Sequence, residues 1–198
     1  RPPRSTLDRS SAASDVYKRQ MYTSGSTGYP KGVVATHRGI IFAPYYWITL
    51  TMMSGVANAD EDETTEEETN QSYQAASLVG VPLFHVTGSH ALFLLSIPVG
   101  RKTVLMYKWD PEVALDLIEQ EKISAFTGVP TMSSEIVEAQ AKNPRNIETL
   151  KDLLGGGSAR PPEQVRKQKK HLPNTNPGIG YGMTETNALG ANLSLIHI

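Results

Sequence analysis

Short apolar runs alternate along this chain with segments of helical periodicity. In residues 102–127 the apolar run KTVLMY is followed by Asp110 and Pro111, a pair typical of a helix cap and the first helical position. The apolar face of the helix that follows is predicted to comprise Val113, Ala114, Leu117 and Ile118. A second apolar run at residues 123–127 completes a strand, helix, strand unit.

The same alternation continues through much of the chain. Strands are predicted at residues 77–81 and 150–154, a buried helix at residues 90–97 and a basic helix at residues 162–170. Strands that alternate with helices in this way indicate an α/β fold, with mostly parallel sheets flanked by helices.

Three segments lack this pattern. Residues 59–70 (ADEDETTEEETN) contain seven acidic side chains and are predicted to form an exposed loop, with a metal-binding site as the alternative. Residues 1–20 are polar and basic, and residues 193–198 follow no structural pattern. Both ends look like translated sequencing-adaptor read-through, so we predict non-native tails there; a genuine disordered tail is the alternative. The natural sequence would then be residues 21–192.

Composition excludes several classes of protein. The 198 residues are 39% hydrophobic, which is enough for the core of one domain. A net charge of -1 argues against a nucleic-acid partner, and the absence of cysteine excludes a disulfide framework and a thiolate zinc site. No apolar run is long enough to predict a membrane span, and a cytoplasmic location is expected.

Residues 22–32 (YTSGSTGYPKG) combine glycines, hydroxyl side chains and one lysine. Glycine lets backbone N–H groups approach an anion, hydroxyls donate hydrogen bonds to phosphate oxygens, and Lys31 adds a positive charge. The common P-loop would need a serine or threonine after the lysine, where this chain has Gly32. The segment is therefore predicted to be a different phosphate-binding loop, with a plain linker as the alternative.

Residues 180–186 (GYGMTET) form a second candidate motif. A tyrosine between two glycines can lie flat against a base, while Thr184 and Glu185 offer a hydroxyl for a phosphate and a carboxylate for a divalent cation. An ordinary turn is the alternative reading of this short string.

Together the two motifs resemble those of the adenylate-forming, or AMP-binding, superfamily in sequence and spacing. That superfamily includes acyl-CoA synthetases, luciferase-like enzymes and the adenylation domains of peptide synthetases. Residues 21–192 would be part of its large N-terminal domain. The resemblance implies that the first loop binds the β- and γ-phosphates of ATP through Thr23, Ser24, Gly25, Ser26, Thr27, Gly28 and Lys31.

For the second motif, the resemblance implies that Tyr181 stacks on adenine beside Gly182, that Thr184 contacts the α-phosphate and that Glu185 ligates Mg²⁺. The glycine-rich segment at residues 155–159 resembles the segment that lies along the adenine ring in this superfamily. Its expected contacts come from Gly156, Gly157 and Ser158.

Residues 81–90 (VPLFHVTGSH) resemble the segment of the acyl pocket in which a histidine faces the substrate carboxylate, here His85. A core histidine bonded to the backbone is the alternative. Amino-acid adenylation domains generally carry an aspartate there, because a buried ammonium needs a carboxylate partner. The histidine therefore favours an acid without an α-amino group, and the surrounding sequence resembles medium- or long-chain fatty acyl-CoA synthetases.

The resemblance implies an AMP-forming acid–thiol ligase that uses ATP, Mg²⁺ and coenzyme A, with Lys31, His85, Thr184 and Glu185 as catalytic residues. Its partners would be a small-molecule carboxylic acid, ATP and coenzyme A. The ribose-binding aspartate, the hinge and the C-terminal lysine of the superfamily are not found in this sequence, so the 198-residue chain itself is expected to be inactive. The alternatives are an amino-acid adenylation domain, a nucleotide-binding relative without catalysis, and a non-enzymatic interaction domain.

Overall fold

The computed structural model describes residues 17–23, 28–58 and 73–194. Its strands are β1 (Tyr17–Thr23), β2 (Lys31–Thr36), β3 (Ala76–Val79), β4 (Lys102–Leu105), β5 (Ala125–Gly128), β6 (Asp152–Gly156), β7 (Asn176–Gly182) and β8 (Gly190–Ser194). Its helices are α1 (His37–Asn58), a π-helix (Thr87–Leu94), α2 (Pro111–Glu121), α3 (Pro130–Lys142), α4 (Pro162–His171) and a 3₁₀-helix (Thr184–Thr186).

Six strands form one sheet in the order β4-β3-β5-β6-β7-β8. The first five are parallel to their neighbours, and β8 runs antiparallel to β7. Strands β1 and β2 form a separate antiparallel hairpin. The prediction of an α/β fold with mostly parallel strands flanked by helices is thus confirmed.

Helix α2 begins as its sequence predicts. Oδ1 of Asp110 accepts hydrogen bonds from the backbone N–H groups of Glu112, at 2.9 Å, and Val113, at 3.2 Å, and Pro111 is the first helical residue. The predicted apolar face is partly wrong, since Val113 is 47% exposed while Leu115 is fully buried. The buried side is centred on Ala114, Leu115 and Ile118. Val113 precedes Ala114 by one position, which turns its side chain about 100° away around the helix.

The two faces of the sheet differ. Leu78, Phe126 and Leu153 occupy matching positions on β3, β5 and β6, and all three are fully buried in the main core. Helices α2 and α3 cover this face with Ile118 and Ile136. Successive side chains of a strand point to opposite faces. The residues directly before and after Leu78, Phe126 and Leu153 in their own strands therefore belong to the other face of the sheet. That second face contains the candidate site.

Several elements differ from the sequence predictions. The buried helix expected at residues 90–97 is a π-helix that begins earlier, at Thr87. Strand β1 includes residues 17–20, and β8 includes residues 193 and 194, all of which were placed in the predicted tails. The acidic segment 59–70 lies outside the described residues. No helix in the described parts of the chain is both long and apolar enough to cross a bilayer.

Candidate nucleotide and acid site

The site begins where three parallel strands end in glycine. Gly128 of β5 pairs with Gly155 of β6, and Gly156 pairs with Gly180 of β7. A Cβ on Gly156 would lie 3.3 Å from the carbonyl oxygen of Gly180, a close contact that only a small shift of the neighbouring strand would relieve. Ligands of open α/β sheets bind at the carboxyl ends of the strands. The glycines therefore present bare backbone at the edge where a ligand is expected.

A cavity of about 430 Å³ extends from this edge along the second face of the sheet. Its floor comprises one leucine, Leu154, and otherwise small or polar side chains and glycines of the strands, namely Ser77, Ala125, Thr127, Asp152, Gly155, Gly156 and Gly180. Its cover comes from α1 and the π-helix segment, through Trp47, Thr51, Val86, Thr87, Ala91, Leu92 and Leu95. The wall is thus apolar over much of its length and carries isolated polar groups, as in small-molecule sites generally.

The second motif forms one rim of this cavity. Tyr181, Thr184 and Glu185 all line it, and the tyrosine side chain is 63% exposed. The 3₁₀-helix behind them is held by Thr186, whose Oγ1 donates to the carbonyl of Leu189 at 2.5 Å and accepts from the N–H of Met183 at 3.3 Å. The motif is therefore an ordered turn that presents an exposed ring, a hydroxyl and a carboxylate toward one space.

The turn is also anchored from the side. The hydroxyl of Tyr46 on α1 donates to the carbonyl of Gly190 at 3.0 Å. Asn187 and Ala188 adopt left-handed backbone conformations, with φ of 56° and 68°, which reverse the chain between β7 and β8. Helix α1 thus supports the turn as well as covering the cavity.

His85 lies at the same rim and is exposed. Its Nδ1 accepts a hydrogen bond from the backbone N–H of Thr87 at 3.2 Å. A neutral ring with Nδ1 as acceptor carries its proton on Nε2, which leaves Nε2–H as the donor for a ligand. His90, in contrast, is 1% exposed and pairs with Ser89 at 2.9 Å between Oγ and Nδ1. His85 is therefore not a core histidine, although it is bonded to the backbone, whereas the neighbouring His90 is buried.

The first loop connects the two strands of the β1–β2 hairpin. Thr23 pairs with Lys31 at the base of the connection, and Gly28 has φ of 84°. Ser24, Gly25, Ser26 and Thr27 lie outside the described residues. Thr23, Gly28 and Lys31 are not among the residues that line the cavity.

Packing nevertheless brings this hairpin to the site. Met21, two residues before Thr23, is buried against Val86 and Ala188. Val86 follows His85 directly, and Ala188 closes the turn of the second motif. Two residues of extended strand span roughly 7 Å, so Thr23, at the base of the first loop, lies about that far from Met21. Met21 in turn packs beside His85 and the turn of the second motif.

The glycine turn after β6 is supported by a buried arginine that we did not predict as a site residue. Arg160 is 9% exposed, and its Nη1 donates to the carbonyls of Leu153 and Gly178, both at 3.3 Å. Its Nη2 donates to Oε1 of Gln168, whose Nε2 donates to Thr175 at 2.9 Å. Burial lowers the pKa of the Arg160 guanidinium. The network ties β6, β7 and α4 together directly beneath the turn.

The predicted residues of this turn divide into two groups. Gly156 and Gly157 line the cavity, together with Gly155, which was not predicted. Ser158 is exposed and does not line it. The sequence also gave no indication of Trp47, Ser77, Arg101 and Asp152, because their positions in the cavity depend on strand register and helix packing.

A metal site made of protein groups alone is not present in the described residues, where no three His, Asp or Glu side chains cluster. Glu185 on the cavity rim could supply one ligand. Mg²⁺ commonly takes one or two carboxylates and completes its shell with phosphate oxygens and water, so a single glutamate fits that requirement.

The mixed α/β fold, with a mostly parallel sheet flanked by helices, matches the N-terminal domain of adenylate-forming enzymes. The family described as "AMP-binding enzyme" matches residues 13–196, and the chain belongs to this family. The match extends into both predicted tails, at residues 13–20 and 193–196.

Similar proteins include several CoA ligases. The chain is 32% identical over 166 residues to the 2-succinylbenzoate–CoA ligase of Bacillus licheniformis, covering 84% of this chain and 30% of that one. It is 29% identical over 164 residues to 4-coumarate–CoA ligase 1 of Narcissus pseudonarcissus, covering 83% of this chain and 27% of the ligase.

Solved structures of CoA synthetases have a similar fold. The o-succinylbenzoate coenzyme A synthetase of Bacillus subtilis, in complex with ATP and magnesium ion, superposes with a TM-score of 0.67 at 29% identity, covering 92% of this chain and 34% of that one. A fatty acyl CoA synthetase of Mycobacterium tuberculosis shares the fold, with a TM-score of 0.68 at 22% identity over 88% of this chain and 30% of that one. The chain therefore spans about a third or less of the length of these relatives.

Proposed function

We propose that this chain is part of an AMP-forming acid–CoA ligase, which activates a carboxylic acid with ATP and transfers the acyl group to coenzyme A. The observation that carries the proposal is the shared cavity. One continuous space is lined by His85, by the glycine turn and by the Tyr181–Glu185 rim, three motifs that lie far apart in the sequence. The named activity of the relatives supports the same reaction.

The proposed roles follow from the chemistry of a carboxylate, which is a poor electrophile because of its charge and resonance. In the first step a carboxylate oxygen attacks the α-phosphorus of ATP. An O–P bond forms, the bond to the bridging oxygen breaks, and pyrophosphate leaves with that electron pair. In the second step the thiol sulfur attacks the acyl carbon, the C–O bond breaks, AMP leaves and the thiol proton passes to solvent.

Each residue has a position suited to its part in this reaction. The exposed ring of Tyr181 would stack on adenine, while the bare backbone of Gly156 and Gly157 would lie beside the base. Thr184 would donate a hydrogen bond to the α-phosphate, where negative charge increases in the transition state. Mg²⁺, when held by Glu185 and the phosphates, would neutralise charge on the phosphate oxygens.

The first loop would hold the outgoing pyrophosphate. Lys31 is exposed at its end, and β2 contacts the 3₁₀-helix that carries Thr184 and Glu185. A mobile ammonium near the β- and γ-phosphates stabilises the leaving group without requiring a fixed geometry. His85, through Nε2–H, would orient the attacking carboxylate.

We propose further that the acid is a medium- or long-chain fatty acid. The support is the apolar cover of the cavity, with Val86, Leu92 and Leu95, and the absence of an aspartate at position 85 to pair with an amino group. The two alternative functions are an amino-acid adenylation domain and a nucleotide-binding relative without catalysis. The 198-residue chain alone is proposed to be inactive, because it spans so small a part of the ligases it resembles.

The experiment is to measure ATP affinity in the full-length protein with and without Mg²⁺, for wild type and for Glu185→Gln. We expect the substitution to weaken binding in Mg²⁺ and to leave binding in EDTA unchanged, because only the metal-bound complex uses the carboxylate. Glu163→Gln on α4, at an exposed glutamate that pairs with Arg166, is the matched control. Equal affinities for Glu185→Gln and wild type in Mg²⁺ would show that the assignment of this rim is wrong.

A further inference from the structure

We infer that the acid bound in this cavity carries an anionic group, such as a second carboxylate, at the end remote from its reactive carboxyl, and that Arg101 binds that group. The inference rests on the proposed function. It adds the distal chemistry of the substrate, which neither the family nor the apolar cover of the cavity specifies.

Arg101 lines the cavity at the opposite end from His85 and Thr184. It directly precedes β4; its backbone N–H donates to the carbonyl of Ser96 at 2.9 Å, and its Nη1 donates to Oγ of Ser77 at 3.3 Å. Ser77 pairs with Ala125, which pairs with Asp152, so this row crosses the amino ends of the strands.

Strand register gives the length of the cavity between its two ends. Asp152 begins β6 and Gly156 ends it, four residues later. At about 3.3 Å per residue, the row of Ser77 lies roughly 13 Å from the glycine edge where the nucleotide motifs meet. A straight carbon chain of roughly ten atoms, with bonds of about 1.5 Å in a zigzag, covers a comparable distance.

The guanidinium of Arg101 differs from those of Arg145 and Arg166 in the kind of partner it has. Arg145 is paired with the carboxylates of Glu112 and Asp116, at 2.6 and 3.0 Å, and Arg166 is bonded to Glu163 at 3.4 Å. Arg101 is half-buried, with one long hydrogen bond to a neutral hydroxyl and no carboxylate within 4.0 Å among the described residues. Its Nε is buried and has no acceptor within the part of the chain that the structure describes.

A cation in such a position calls for an anion, because an arginine has five N–H donors and cannot lose its charge in the working pH range. Desolvating it without a partner costs free energy that a bound anion would restore. Trp47 lines the same cavity, and its Nε1 is a second buried N–H donor with no acceptor among the residues that the structure describes.

Asp152 is the one carboxylate in this row, and its negative charge would attract a cation and repel an anionic group of the substrate. It is two strands away from Ser77, roughly 10 Å at about 4.8 Å per strand, and it accepts a hydrogen bond from Nδ2 of Asn176 at 3.2 Å. Coulomb attraction falls with distance, so the nearer guanidinium dominates the field at the Ser77 side. The anionic group is therefore assigned to the end of the cavity under β3 and β4.

The test compares two probe acids in the full-length protein, a straight-chain monocarboxylic acid of roughly ten carbons and its counterpart with a carboxyl at both ends. Acid-dependent ATP–pyrophosphate exchange gives kcat and KM for each. We expect kcat/KM to favour the dicarboxylic acid by about tenfold or more, as for a charge-assisted hydrogen bond in a partly buried site.

The variant Arg101→Met should remove this preference by raising KM for the dicarboxylic acid alone, with KM for the monocarboxylic acid and kcat for both nearly unchanged. Arg101→Lys should retain part of the preference, and Arg166→Met, at an exposed arginine on α4, should retain all of it.

Equal or lower activity of wild type with the dicarboxylic acid would overturn the inference, as would a preference that survives in Arg101→Met. The wild-type comparison decides the matter even if the variants do not fold. Exchange with the monocarboxylic acid alone would leave the proposed function standing, whereas exchange with no acid at all would refute both.

Discussion

Gly182 allows the second motif to turn, and a methyl group there should destabilise the protein. A Cβ on Gly182 would lie 2.4 Å from the carbonyl oxygen of Ala188 and 2.8 Å from its carbon. Both atoms belong to backbone that is held by the hydrogen bond from the N–H of Ala188 to the carbonyl of Met183, at 2.9 Å. The methyl therefore cannot be accommodated by rotation of a flexible side chain.

The same strand offers a matched control. A Cβ on Gly180, two residues earlier in β7, would meet no atom within 4 Å. Neither glycine has a positive φ, so both can accept alanine conformationally. Overpacking of a rigid site costs roughly 1–3 kcal/mol, whereas an unstrained change from glycine to alanine gains roughly 0.4–1 kcal/mol by restricting the unfolded chain.

The gain from restricting the unfolded chain is common to both variants, so Gly182→Ala should be less stable than Gly180→Ala by the overpacking cost, about 1–3 kcal/mol. For a chain of this size the difference corresponds to melting temperatures about 2 to 12 °C apart, with Gly180→Ala at or above wild type. Thermal unfolding followed by circular dichroism measures both variants under the same conditions. Equal melting temperatures for the two variants would refute the close approach of β7 to the turn at Ala188.

Three further changes test other parts of the account. Asp110→Ala should cost about 1 kcal/mol of unfolding free energy in urea titrations, because two N–H groups of α2 lose their acceptor; no change would argue against the cap. Phe126→Ala should cost about 3–5 kcal/mol by the same measurement, since the ring is fully buried and stacks on Trp109, and a cost below 1 kcal/mol would contradict that packing. Tyr181→Ala should weaken ATP binding in the full-length protein by about 1–3 kcal/mol with little change in melting temperature, because the ring is mostly exposed. A loss of stability without a loss of ATP affinity would contradict the proposal that Tyr181 stacks on adenine.

The sequence predicted best those elements whose signals are local. The cap of α2 depends on Asp110 and Pro111 alone, and the structure contains it as predicted. The parallel strands β3 to β6 follow apolar runs between helical segments, and their existence was predicted within a few residues. Their pairing in the order β4-β3-β5-β6 depends on contacts between distant segments, which no local signal specifies.

Strand β7 shows why other elements were missed. Its sequence NPGIGYG has one proline and three glycines, residues that weaken a strand in isolation. It forms because β6 and β8 pair with it on both sides. Gly182 is required for the close approach of the strand to Ala188, so a residue that shapes the site also weakens the sequence signal of the strand.

The candidate site was predicted only where its residues belong to local sequence motifs. Gly156, Gly157, Gly182, Tyr181, Thr184, Glu185 and His85 belong to short strings with recognisable chemistry, and all of them line the cavity. Ser158 and the described first-loop residues Thr23, Gly28 and Lys31 do not line it. Arg101 and Trp47 have no such string around them. Arg101 enters the cavity because β4 lies beside β3, and Trp47 because α1 packs across the sheet.

The central claim is that this cavity activates an acid with ATP. It is tested most directly by ATP–pyrophosphate exchange in the full-length protein, measured with and without a straight-chain carboxylic acid. We expect exchange that depends on the acid, that is lost in Glu185→Gln and that is absent from the 198-residue chain alone. ATP binding without exchange for any carboxylic acid would contradict it and would favour a nucleotide-binding relative that does not catalyse the reaction.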